Sequence, residues 1–277
     1  MAIHSRLAKE NVLLQQNGPI LSVSNSVKIS GVIITLNEAR HIRDCIASLQ
    51  PVADEVLVVD SFSTDDTPDI CRAMGARFLQ HPFEGHIEQK NYAMQQARYD
   101  HVLSLDADER VSPAMAAAIQ EVKQNWSADG YAFNRLNHYC GRWLRHAWYP
   151  DRKVRLWDRR RGQWGGRNPH DKVMLEGQNV RRLNADLHHY PYDSVLEHAQ
   201  QLLKFADIDA KAKREEGQGV SLYRDLILGP HFKFFKLYFL KRGFLDSWQG
   251  FLFCCLAAGF NFLKYARLWE LSRRPPK

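Results

Sequence analysis

Cysteine is scarce in this chain: five in 277 residues, at Cys45, Cys71, Cys140, Cys254 and Cys255. The count is odd and no two form a CxxC pair, which suggests neither a disulfide framework nor a zinc site and fits a reducing compartment. The amino terminus lacks the charged-then-apolar pattern of a signal peptide, so the expected location is the cytoplasm. Residues 251–263 form an apolar run of 13 positions that includes Gly259 and Asn261. That is short of the roughly 20 a membrane-spanning helix requires. No internal repeat or extended low-complexity tract is present. With 45% hydrophobic and 25% charged residues the composition is that of an ordinary globular protein. Disorder is expected only in the polar stretches 1–27 and 272–277.

Excess charge is missing from most of the chain as well. Residues 230–277 hold nine Lys/Arg against two acids, which is the whole net charge of +7, while residues 1–229 carry 29 bases and 29 acids. A neutral main body argues against a nucleic-acid-binding face.

What the chain does contain is an alternation of short strands and helices. Residues 28–35 (KISGVIIT), 55–60 (EVLVVD), 76–79 and 101–105 (HVLSL) read as buried strands. Helices are expected at 38–49, after Asp66 or Thr67 with Pro68 in the first turn and Gly75 at the end, at 86–98, and after Ser112-Pro113. This order implies an α/β fold with a mostly parallel sheet covered on both faces. Ligands of such sheets bind beyond the carboxyl ends of the strands. After about residue 130 the pattern loosens into short strands and Arg-rich aromatic loops. A helix over about 192–216 follows, with Val195, Ala199, Leu202 and Ala206 as its expected apolar stripe.

Polar clusters fall at the strand exits. Thr35-Leu36-Asn37-Glu38 follows the first strand; Asp60, with Ser61-Phe62-Ser63-Thr64-Asp65, follows the second. Taken singly, each is equally a helix cap or an Asx-turn; together they make a polar crevice suited to a base and ribose. Asp106-Ala107-Asp108-Glu109 follows HVLSL. Alternate residues of an extended segment point the same way, so both aspartates can address one hard cation, Mg²⁺ or Mn²⁺.

The order TLNE, VVDSFSTDDT, QKNYA, LDADE resembles the inverting nucleotide-sugar glycosyltransferases of family 2 type, with a GT-A, Rossmann-like fold. WYPDRKVRLW, NPHDKV and LKRGFLDSWQGFL…KYARLWEL narrow the resemblance to the bacterial lipopolysaccharide-core β-glucosyltransferase branch. It runs from about residue 28 to 271. It implies that Thr35, Asn37 and Glu38 line a uridine pocket, with Asp60 at the uracil edge and Asp65 in support. Lys90 and Asn91 would lie near the donor diphosphate. Asp106 would contact ribose or the metal shell, Asp108 would hold Mn²⁺ or Mg²⁺, and His170 would be a further ligand or an acceptor contact. Arg155 and Arg167 would border the acceptor, and Asp171 would be the general base, with Glu109 and Asp151 as rivals. Where related sequences often carry His-Glu, this chain has His170-Asp171, one methylene shorter. The donor implied is a UDP-sugar and the acceptor a glycolipid.

The expected organisation is a flexible segment 1–27, a catalytic domain 28–229 and a helical, basic-aromatic extension 230–277. That extension holds 13 of the 31 aromatic residues. Lys and Arg beside Phe, Tyr and Trp suit a helix lying on an anionic leaflet, here the inner face of the cytoplasmic membrane. A hairpin packed on the catalytic domain, or a homodimer interface, reads the same residues differently. Two other functions stay open. A nucleotidyltransferase would need a Gly-rich phosphate loop where TLNEAR stands, and a membrane-surface adaptor would leave the polar strand exits unexplained.

Overall fold

The computed structural model describes residues 26–168 and 170–273, so nearly all of the segment 1–27 and the last four residues lie outside the described residues. β1 (Ile29–Thr35), β2 (Glu55–Asp60), β3 (Arg77–Gln80) and β4 (His101–Asp106) pair in parallel in the order β3-β2-β1-β4. Their alternate side chains feed two cores. Ile29 and Ile33 pack with α1 (Ile42–Leu49) and α4 (Pro113–Gln124), whereas Val32 and Leu57 pack with Ala93 and Met94 of α3 (His86–Gln96). Between β2 and β3 lies α2 (Thr67–Ala73), with Pro68 in its first turn and Gly75 at φ +73° just past its end. Ser112 caps α4 by accepting the Met115 N–H at 3.2 Å. Helix α1 starts later than its pattern suggests, because the Glu38 carbonyl first closes a turn on the His41 and Ile42 amides.

The second half of the sheet changes direction. β4 pairs antiparallel with β8 (Asp151–Asp158), and β8 antiparallel with β6 (Gly130–Tyr139). β6 then runs parallel to β11 (Val180–Tyr192), which ends antiparallel to the short β5 (Glu109–Val111). β7 (Arg142–Leu144) folds back on β6. The nine-stranded sheet is therefore mixed: the parallel run expected from the first four strands stops where the connecting helices stop. A separate hairpin, β9 (Gly162–Arg167) with β10 (His170–Leu175), brings Trp164, Val173 and Leu175 against the α3 core.

The carboxyl-terminal part begins with α5 (Val195–Glu215), whose buried side is His198, Ala206, Asp209 and Ala210. Val195, expected on the apolar stripe, is 37% exposed. Next come α6 (Gly229–Phe235), flanked by π-helical turns Leu222–Leu228 and Lys236–Leu240, a 3₁₀ turn Gly243–Asp246, and α7 (Ser247–Arg273). The apolar run 251–263 is thus the middle of a 27-residue helix. By length and composition alone, Gly243–Arg273 is able to cross a membrane, and 17% of its most apolar stretch is buried. One side of α7 packs on the protein. Leu268 and Leu271 meet Ala210 of α5, and Arg267 Nε sits 2.7 Å from Asp207 Oδ1. Phe253 stacks on Trp148 at 4.8 Å and shares a core with Tyr139, Leu144, Ala147 and Leu237.

One carboxylate ties the tail to several backbone amides beside the sheet. Asp246, 2% exposed, accepts the backbone N–H groups of Arg145, His146 and Ala147 at 2.9, 3.0 and 2.8 Å, and meets His146 Nδ1 at 2.9 Å. Removing such an acceptor leaves several donors unpaired. Asp246→Ala is expected to cost about 3 kcal/mol, read as a lower urea midpoint with an unchanged slope.

Candidate active site

Because β1, β2 and β4 are parallel and in register, their carboxyl ends lie level: Thr35 is opposite Asp60, and Ile34 opposite Asp106. The chain leaves each strand there through a polar turn. At the first exit Asn37 takes a left-handed conformation, φ +56°, which asparagine tolerates. Its Oδ1 accepts the Thr64 N–H at 2.8 Å, and its own N–H donates to Ser63 Oγ at 2.7 Å. Asp65 ties the same two turns together by accepting the Ala39 and Thr67 amides. Asp60, fully buried, spends its carboxylate inside its own turn on the Ser63 N–H at 2.9 Å and the Ser63 hydroxyl at 2.5 Å, and on Gln80 Nε2 at 3.1 Å. Thr35 Oγ1 is buried with no hydrogen-bond partner among the described residues. A native fold rarely strands such a group unless a ligand or water satisfies it.

The third exit holds most of the charge. Asp106 ends β4, and its two oxygens are divided: Lys90 Nζ lies 2.8 Å from Oδ1 and Arg155 Nη2 2.9 Å from Oδ2. Lys90 reaches equally to Asp171 Oδ2, at 2.8 Å, and lies 4.4 Å over the Trp164 ring. Helix α3 turns this lysine inward with Gln89, Ala93 and Met94, so it is not on a solvated helix face. Arg155 continues to Glu109 Oε1 at 2.5 Å, and Arg135 joins Glu109 at 3.4 Å to Asp151 at 2.7 Å. Burial pushes the Asp106 carboxyl up, but Lys90 and Arg155 outweigh it and hold it well below the usual carboxylate range. A buried charge of either sign is tolerable only when paired in this way.

Asp108 sits in the turn after β4, with Oδ2 3.2 Å from His189 Nε2. Burial again opposes ionisation, and His189 more than offsets it, lowering the carboxyl. The other ring nitrogen of His189, Nδ1, is 2.6 Å from Asn137 Oδ1, and Asn137 donates its amide to the Trp148 carbonyl at 3.2 Å. That second bond turns the Asn137 oxygen towards the imidazole, so Nδ1–H donates to it, and Nε2 is left to face Asp108, as a proton donor to the carboxylate or, once that proton leaves, as a metal ligand. A carboxylate facing an imidazole nitrogen is a donor set suited to a divalent cation that draws its remaining oxygens from phosphate and water. Among the described residues no group of three His, Cys, Asp or Glu forms a ready-made metal cage. A metal held by Asp108 and His189 would therefore need further ligands from outside the chain.

Several expected residues are placed differently. Asn91 is committed to β9, exchanging hydrogen bonds of 2.9 Å with the Trp164 backbone in both directions, so its amide is spent away from any diphosphate. Arg155 is 3% exposed beneath the carboxylates and is paired with Asp106 and Glu109. Arg167 pairs with Glu216, just past α5. Pro169 and the His170 side chain lie outside the described residues. Of the rival bases, Glu109 is fully buried with both oxygens engaged, and Asp151 is held by Arg135 and Lys153. His189 escaped the sequence reading because it is a polar residue at an inward position of β11, in line with the buried Ala185 and Leu187, and Asn137 because it is a polar residue among the buried positions of β6. A concavity of about 440 Å³ lies at the opposite end of β2 and β3, but there Glu55 is already paired with Arg77 and approached by Arg98.

Residues 30–176 match the model of "Glycosyl transferase family 2". An uncharacterized glycosyltransferase of Rickettsia typhi is 30% identical over 257 residues, 88% of each chain. The lipopolysaccharide core biosynthesis glycosyltransferase LpsC of Rhizobium meliloti is 27% identical over 262 residues, 89% of this chain and 95% of the relative. Glucosyl-3-phosphoglycerate synthase from Mycobacterium tuberculosis, solved with Mn²⁺ and UDP-glucose, is 26% identical over 40% of this chain with a TM-score of 0.35. The chain spans 44% of that structure's length.

Glu38 gives a test of the site's electrostatics. Burial and the nearby Asp108 charge push its carboxyl up to about 7. A raised folded-state value means the folded protein binds the extra proton, so stability present below pH 4.5 is lost as pH rises through 7. Glu38→Gln is therefore expected to raise the melting temperature at pH 8 and to leave it unchanged at pH 4, measured by thermal unfolding at both.

Proposed function

The chain belongs to glycosyl transferase family 2, and on that premise we propose that it moves a hexose, glucose first among candidates, from a UDP-sugar to a hydroxyl of a lipopolysaccharide-core or similar glycolipid by a single inverting displacement. The observation that carries this reading is the pairing of Asp108 with an oriented His189, next to an Asp106–Lys90–Asp171 bridge at the level exits of β1, β2 and β4. The acceptor class is supported by the R. meliloti relative, named for lipopolysaccharide core biosynthesis. A lipid-borne acceptor places the work at a membrane surface, with the protein peripheral to the inner leaflet.

The donor's uridine is assigned to the crevice between the first two exits, where Thr35 Oγ1 lacks a partner and Asn37, Asp60 and Asp65 hold the turns. Asp108 and His189 would hold Mn²⁺ or Mg²⁺, which would neutralise charge on the departing diphosphate. Direct ligation falls to Asp108, since Asp106 has a cation on each oxygen. Lys90 is spent in orienting Asp171 through Oδ2, which leaves the base function to Oδ1. As the acceptor oxygen bonds to the anomeric carbon, its proton passes to Asp171 and the bond to the diphosphate oxygen breaks, releasing UDP. Asp171 is favoured over Glu109 because it is 14% exposed whereas Glu109 is sealed, and over Asp151 because that carboxylate is held between Arg135 and Lys153.

Two substitutions separate these roles. Asp108→Asn should abolish the Mn²⁺-dependent part of UDP-sugar binding, measured by calorimetry with and without the ion; undiminished binding rejects the metal assignment. Asp171→Asn keeps its shape, and Lys90 keeps Asp106, so donor affinity should hold while transfer falls about 10²–10⁴-fold. Near-normal transfer by this variant would move the base elsewhere.

A further inference from the structure

The turn of the carboxyl-terminal hairpin leaves an unusual surface uncovered. Phe239 is 50%, Leu240 63% and Trp248 56% exposed, and Phe235, Phe244 and Leu245 are exposed beside them in the chain. Lys233, Lys236, Lys241 and Arg242 are exposed along the same stretch. Between residues 226 and 269 the sequence holds one carboxylate, Asp246, and it is buried under the 145–147 amides. The stretch is therefore apolar and aromatic, bears four exposed cations and has no exposed acid of its own. Patches of this kind mark an interaction site.

We infer that this surface, centred on residues 235–248, docks on an anionic lipid leaflet, with the Phe, Leu and Trp side chains entering the interface and the lysines and arginine meeting headgroup phosphates. Aromatic and aliphatic groups flanked by cations match the layered chemistry of a leaflet edge. A second copy fits poorly, because a two-fold contact would set four cations against the same four with no acid between them. A membrane-spanning α7 also fits poorly. Its last turns are tied to α5 through Arg267 and Asp207, and Phe253, Cys254 and Leu268 face the protein.

The surface has a fixed relation to the site. Asp246 clamps residues 145–147; the next residue, Trp148, holds Asn137 by its carbonyl, and Asn137 holds His189 opposite Asp108. A leaflet seated on the hairpin thus lies at a set position relative to the carboxylates. This inference takes from the proposed function only that the acceptor is lipid-borne.

The test is co-sedimentation of the full chain with phosphatidylglycerol-containing vesicles and with uncharged phosphatidylcholine vesicles. Binding is expected only to the anionic vesicles and should weaken with added salt. Lys236→Gln with Lys241→Gln should reduce it about 30-fold, at about 1 kcal/mol per charge. Phe239→Ser with Leu240→Ser should reduce it about 100-fold or more, since each side chain buried contributes about 1.5–3 kcal/mol. Equal binding to uncharged vesicles, or no effect of either pair, overturns the proposal. So does a stable dimer in light scattering that the serine pair dissolves. UDP-sugar binding by the same variants without vesicles should be unchanged. Retained donor binding with failed docking rejects this surface alone, and docking without donor binding in the parent rejects the transfer reading alone.

Discussion

One ammonium group organises the centre of this molecule. Lys90 Nζ lies 2.8 Å from both Asp106 and Asp171, and those two carboxylates come from β4 and from the β9–β10 hairpin, parts of the fold that share no sheet. Remove the cation and two buried or half-buried anions lose their common partner, at a cost far above that of a surface ion pair. Trp164 closes over the ammonium and is itself pinned by Asn91 one residue along the same helix. The hairpin is thereby held at the edge of the site by α3, and Asp171 is aimed by the residue that neutralises Asp106.

A second chain of contacts runs from the tail inward. Each link is a short polar bond whose partner is otherwise buried: Asp246 to three amides, the Trp148 carbonyl to Asn137, Asn137 to His189, His189 to Asp108. Such networks specify geometry more than they add stability, because a half-satisfied network costs more than an apolar one. The carboxyl-terminal helices are consequently part of the catalytic scaffold on one side and an open surface on the other. The expected packed hairpin describes its inner face.

The alternation of strands and helices, the strand exits at Thr35, Asp60 and Asp106, the cap at Ser112 and the first-turn Pro68 were all legible along the chain, because each rests on residues within a few positions of one another. So was the family, whose motifs are local and ordered. What these motifs do to one another was not legible. Asn91 adjoins Lys90 in sequence, yet one braces a strand and the other sits between two carboxylates. Arg155, read as an acceptor contact, is an internal counter-charge for Asp106 and Glu109. His189 carries no local signal at all and meets Asp108 from a strand 81 residues away.

The division has a physical reason. Hydrophobic periodicity, turn chemistry and helix capping depend on neighbours in the chain, so the sequence by itself determined the α/β class, the level polar exits and the basic, aromatic tail. The state of each charge depends on which opposite charge lies within about 4 Å once water is excluded. Only the tertiary structure could decide that, by bringing β4, α3, β8, the β9–β10 hairpin and β11 to one end of the sheet.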